Sequence, residues 1–150
     1  MKPRDIAEWT SEEHAHVQEQ MFLLRKKLAV PPLAGRAAWL PELRECFQQL
    51  TVHLNRHMEL EETGGYMKEI TAVRPALERE VSTLGHEHIE LRQLMSEIDD
   101  ALGRLTPEDE LLIRHAIARI GMFLSYVEQH KKQEEHLIMA VFTDDIGVGD

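Results

Sequence analysis

A chain of 150 residues can bury one substantial hydrophobic core but not two, so a single domain over 1–150 is expected. Apolar residues at 43% exclude a disordered chain. Aromatics at only 5%, beside abundant Leu, Met, Ala, Glu, Gln and Arg, favour helices over sheets. The formal net charge of -10 argues against nucleic acid or an anionic membrane as partner, and does not argue against a cation. The single cysteine, Cys46, excludes an intramolecular disulfide and fits a reducing, cytoplasmic compartment. Met1 to Trp9 carries no apolar leader, and no apolar run approaches the ~18 residues of a membrane span.

The first helix is expected to open at Thr10-Ser11-Glu12-Glu13, an N-cap followed by acids, and to stop at Ala29 before Pro31-Pro32. A second starts near Pro41 and ends at Thr63-Gly64-Gly65, where glycine can take a left-handed cap. Tyr66 to Arg74 reads as a connector with room for a helical turn. A third helix runs from Pro75 to Gly103. The fourth begins at Thr106-Pro107-Glu108-Asp109 and continues to Phe142, after which the tail from Asp144 leaves the helix. The connections are mostly short, which predicts an all-α, up-down-up-down antiparallel four-helix bundle.

Nine histidines invite a metal hypothesis, and helical phase tests it. On the second helix, Leu43, Cys46, Leu50, Leu54 and Leu60 fall within roughly 60° of His57, and Glu61 lies about 40° away. On the third, His88 shares a face with Leu77, Val81, Leu84, Leu91, Met95 and Leu102, while His86 points away. On the fourth, His130 shares a face with Leu112, Phe123, Val127, Leu137 and Val141, and Glu134 lies one turn on. On the first, His14 edges the stripe Val17, Met21, Leu24, Leu28. In an up-down-up-down bundle all six residues, His14, His57, Glu61, His88, His130 and Glu134, come to one end.

A lone histidine on an apolar face is usually a satisfied core residue. Two His-x3-Glu pairs phased inward on helices that share an end are a stronger signal. A buried carboxylate needs a compensating partner, and a cation is one. Imidazole plus carboxylate suits iron, with zinc or manganese also possible. Two glutamates can bridge a metal pair while four histidines complete it and leave positions open. Of the remaining groups, His53 reads as core or a support behind the ligands. Tyr126 reads as a group that hydrogen-bonds a ligand or merely packs. His16, His86, His115, His136, Glu62 and Glu135 read as surface. The Met residues 21, 58, 67, 95, 122 and 139 read as core filler, and Cys46 as inert. Arg119 falls on the inner face of the fourth helix, where it should pair with a carboxylate.

These motifs resemble the hemerythrin-like (HHE cation-binding) domains. The matching pieces are His14-Ala15-His16-Val17 with Met21, His57-Met58-Glu59-Leu60-Glu61-Glu62, Glu87-His88, and His130-Lys131-Lys132-Gln133-Glu134-Glu135. The segments Glu61-Glu62-Thr63-Gly64-Gly65-Tyr66 and Asp145-Ile146-Gly147-Val148-Gly149-Asp150 are similar to those of a bacterial subgroup. The resemblance implies a four-helix bundle with a non-haem di-iron site, about two irons per chain, bridged by two carboxylates. It implies binding or sensing of oxygen, nitric oxide or iron, with peroxidase-like, ferroxidase-like or iron–sulfur repair activity as the alternative and peroxide as a further small partner. Two features depart from the oxygen carriers. The positions one turn either side of His88 are Leu84 and Arg92 instead of a second histidine. The helix-4 carboxylate with the better phase, Glu134, follows its histidine by four residues instead of five, with Glu135 as the fallback. A missing histidine leaves one metal under-coordinated or weakly bound, or recruits His53 or Tyr126. Oligomeric state is left open.

Overall fold

A computed structural model describes residues 3–143 of the chain. They form α1 (Pro3–Ala29), α2 (Arg36–Thr63), α3 (Tyr66–Val73), α4 (Glu78–Gly103) and α5 (Glu110–Ile138). A 3-10 turn at Pro75–Leu77 precedes α4, and a π-helical turn at Met139–Thr143 follows α5. Among the described residues there is no strand, and no helix is long and apolar enough to cross a membrane. The four long helices close a ring in which α1 and α4 each pack on both α2 and α5. Cross-helix pairs give the directions. Arg44 meets Asp99 and Glu62 meets His88, so α2 and α4 are antiparallel. Arg25 pairs with Glu128 and His14 with Glu135, so α1 and α5 are antiparallel too. The expected up-down-up-down bundle is the observed architecture.

Helix ends differ from expectation where tertiary packing overrides a local signal. Thr10 does not cap α1; it is buried inside a helix that begins at Pro3, and Trp9 beside it stacks on His57. The α2 helix starts at Arg36, five residues before Pro41, because Gly35 supplies a left-handed entry at φ 77. Pro41 then sits exposed in the second turn and removes one i→i−4 donor. Gly64 does not take the left-handed cap; its φ is -140. Gly65 is required for another reason: a Cβ there would lie 2.8 Å from the Glu61 Cα. At the start of α5, Thr106 to Asp109 forms a turn, with the Thr106 N–H donating to Asp109 Oδ2 at 2.7 Å, and the helix begins at Glu110. The expected departure of the tail from Asp144 lies outside the described residues.

Two apolar clusters fill the bundle. The larger includes Leu43, Phe47, Leu50, Met95, Ile120 and Phe123. The smaller gathers Tyr66, Met67, Ile70, Val81, Leu84, Ile138 and Val141 around α3. Some residues assigned to the inner stripes face out instead: Leu60, Leu112, Met122 and Met139 are exposed, Leu60 at 43% and Leu112 at 58%. Leu60 sits at the margin of its stripe, where a small rotation of the helix decides burial, whereas Leu112 lies in the first turn of α5 and Met139 in the turn after it. Leu77, Leu137 and Cys46 are partly buried against the clusters, and burial raises the Cys46 thiol pKa. Arg119 lies at the rim, not inside, and pairs with Glu97 at 3.7 Å.

Candidate metal centre

Between the two clusters the bundle interior turns polar. His14 from α1, His57 and Glu61 from α2, His88 from α4, and His130 and Glu134 from α5 are all buried there. Their inward atoms form two groups, His14–His57–Glu61–Glu134 and His88–His130–Glu134, each with its ligand atoms within 4.8 Å of one another. Glu134 belongs to both. Its Oε1 lies 3.7 Å from His14 Nε2 and 3.2 Å from His130 Nε2. Glu61 divides its oxygens: Oε2 is 3.4 Å from His57 Nε2 and Oε1 is 3.5 Å from His88 Nε2. The structure thus brings together all six residues selected by phase. His14 lies deeper in its helix than expected, since α1 begins at Pro3, yet the meeting holds.

Each of these four histidines turns Nε2 inward and Nδ1 toward a carboxylate on another helix. Nδ1 of His14 meets Glu135 Oε1 at 2.7 Å, that of His88 meets Glu62 Oε1 at 2.9 Å, and that of His130 meets Glu87 Oε1 at 2.7 Å. The fourth contact is looser, with His57 Nδ1 3.8 Å from Glu13 Oε2. Such outer carboxylates fix the tautomer and ring orientation of a metal-ligating histidine. Glu135 is exposed, as phase suggested, and Glu62 is half-buried, but each also holds a histidine of the centre. Glu62 is further held by Arg92 at 3.0 Å. Burial opposes ionisation of Glu62, but the Arg92 and His88 hydrogen bonds outweigh it and lower its pKa, so Glu62 accepts and His88 Nδ1 donates.

This wiring creates a demand for positive charge. With Nδ1 donating outward, the Nε2 atoms of His88 and His130 present lone pairs to each other at 3.1 Å. A cation or a proton must lie between them. Burial would lower the His130 pKa, but hydrogen bonds to Glu134 and Glu87 raise it, which favours positive charge at this position. The two inner carboxylates face the same problem, because neighbouring like charges do not both ionise in a buried site. Burial, reinforced by Glu134, pushes the Glu61 pKa well up. Burial acts on Glu134 as well but is outweighed by the neighbouring Glu61 carboxyl and the His130 and His14 imidazoles, which hold its pKa well down. Burial lowers the pKa of His57 to about 4 and lowers that of His88, so both are neutral and able to coordinate at pH 7.

The donor set fits a metal. His14 Nε2, His57 Nε2 and both Glu61 oxygens are buried without a hydrogen-bond partner. Buried polar atoms are rarely left so, and unpartnered atoms converging on common points are the donors a cation would use. Nitrogen and carboxylate oxygen without thiolate suits a borderline metal such as iron, zinc or manganese.

The recruits considered for the missing histidine do not join. His53 turns its Nε2 to Glu13 at 3.5 Å, behind His57. Tyr126 is half-exposed, beside a cleft of about 320 Å³ between α4 and α5 that it lines with Glu87, Leu91, Leu94 and His130. His16, His86, His115 and His136 are exposed, as expected. The group that does reach the centre is Tyr66, from the segment read as a connector. It is fully buried, and its hydroxyl donates to Glu134 Oε2 at 2.5 Å. The Gly-Gly turn immediately before it is the one sequence signal that could have found it, since that turn folds α3 back over the bundle end.

The chain matches the Hemerythrin HHE cation binding domain over residues 5–142, which takes in all six inward residues and Tyr66. No match was found among the curated proteins or among the solved structures. The helical bundle, the polar centre and the extent of the match agree: the chain belongs to the hemerythrin HHE cation-binding domain family.

Proposed function

We propose that this family member is a non-haem iron protein that holds two irons per chain and binds or senses a small ligand, oxygen or nitric oxide. The observation that carries the reading is the placement of the glutamates: Glu134 belongs to both donor groups, and Glu61, a member of the first, turns its other oxygen to His88 of the second. His14 and His57 would hold one ion, His88 and His130 the other, and Glu61 and Glu134 would bridge them. Two histidines and two shared carboxylates leave each ion short of a full octahedron, so positions stay open. Iron bound there supplies reversible electron exchange and affinity for diatomic ligands. The chain's own contribution is to hold each imidazole in its Nε2-inward tautomer and to keep bulk water away with the apolar clusters on either side.

Anaerobic reconstitution with Fe(II), followed by oxygen and then argon, tests the proposal. A visible absorption that appears with oxygen and fades under argon is expected, with a parallel response to nitric oxide. No spectral response to either gas would overturn it. Sustained consumption of excess Fe(II) or peroxide beyond stoichiometry would replace binding by turnover at the same centre.

A further inference from the structure

Glu134 is shared between the donor groups, Glu61 belongs to the His14–His57 group and turns its other oxygen to His88, and the two carboxylates are presented differently. Glu61 has neither oxygen hydrogen-bonded, and each faces a different histidine. Glu134 has Oε2 occupied by the Tyr66 hydroxyl at 2.5 Å, while Oε1 alone faces His14 and His130. The phenol is held firmly. Its ring is fully buried among Met67, Ile70, Leu84 and Ile138, and its backbone follows the tight turn at Gly65.

We propose that Tyr66 is a positioning residue that reserves Glu134 Oε2, so that Glu134 meets both metal positions through Oε1 alone while Glu61 spans them with two oxygens. The inference rests on the two-ion reading above. With Oε2 tied to the phenol, Glu134 is held from chelating through both oxygens, so one ion keeps a position that Oε2 would otherwise fill. Tyr66 thereby preserves the coordination space in which an outside ligand binds, although it comes from α3, outside the four long helices.

The test compares the full chain with Tyr66→Phe, both loaded with Co(II). The substitution removes one oxygen and leaves the ring in its cluster. Visible Co(II) bands weaken as coordination number rises, so the variant should show lower absorbance per metal. Azide, a probe for an open position, should bind about 10- to 100-fold more weakly to the variant, the usual scale for losing an outer hydrogen bond at a metal site. Identical spectra and azide affinity in the two loaded proteins would overturn the inference while leaving the two-ion reading intact. An intense visible band in the ferric wild type that Tyr66→Phe abolishes would also overturn it, by making the phenol a ligand itself; the chain has two tyrosines, so the assignment is direct. Wild-type uptake of fewer than two Co(II) would overturn the two-ion reading and the inference with it.

Discussion

Phe47 and Phe123 meet edge to face at 5.8 Å in one half of the bundle, whereas His88 and His130 face each other at 3.1 Å in the other. The aromatic pair reaches across the core from α2 to α5, the histidine pair joins the neighbouring α4 and α5, and the two lie only about 10–15 Å apart along the bundle. The aromatic half is built from apolar side chains removed from water, and it is complete as it stands. The histidine half buries four imidazoles, two carboxylates, a phenol and Lys131, whose Nζ donates to the His14 carbonyl at 3.2 Å. Several of these polar atoms have no protein partner. One half therefore holds the helices together, and the other spends part of that stability on a centre that a cation completes.

The contrast is broken most sharply at Glu134. Glu134→Ala removes the donor common to both groups, so reconstituted protein should retain almost no metal while its helical circular dichroism persists. Elemental analysis checks this, and full metal retention would separate Glu134 from the centre. The complementary change is Phe47→Ala in the apolar half. It should cost about 3–5 kcal/mol of stability in denaturant unfolding and leave metal stoichiometry unchanged. A loss of metal comparable to that of Glu134→Ala would show that the two halves are not separable.

Acid should act on the polar half first. Burial holds the pKa of His57 at about 4, below its ordinary 6.5. Between those values the unfolded chain takes up a proton that the folded metal-free chain does not. The contribution of His57 to stability is therefore complete above pH 6.5 and declines as pH falls toward 4, by roughly 3 kcal/mol in total. Urea unfolding of metal-free protein at pH 7 and pH 5 should show the decline, and His57→Gln should flatten it. The smallest effect belongs to the apolar half's rim. The Arg44 guanidinium lowers the Asp99 pKa, but the pair is partly exposed, so Arg44→Ala should cost less than about 1 kcal/mol in the same measurement.

The six inward residues were legible in the sequence because each lies on a long helix, where the 3.6-residue period alone gives direction. Helix count and antiparallel order followed from punctuation at Pro31-Pro32, Gly64-Gly65 and Gly103. The helix starts did not, since Thr10 and Pro41 carry strong local signals that packing and the left-handed Gly35 override. The outer carboxylates were hidden for a different reason. Glu62, Glu87 and Glu135 sit on helix flanks and reach histidines of neighbouring helices, so their role depends on how the helices are rotated against one another. Tyr66 was hidden because α3 stands outside the four-helix pattern, and its placement follows from a close approach of Gly65 to α2 that no periodicity records.

The central claim is a pair of metal positions sharing two glutamates, and the metal-to-chain ratio tests it most directly. Elemental analysis of protein reconstituted with Fe(II) and freed of excess metal should give two irons per chain, falling to one in both His14→Ala and His88→Ala. A wild-type ratio of one, or none, would contradict the paired centre.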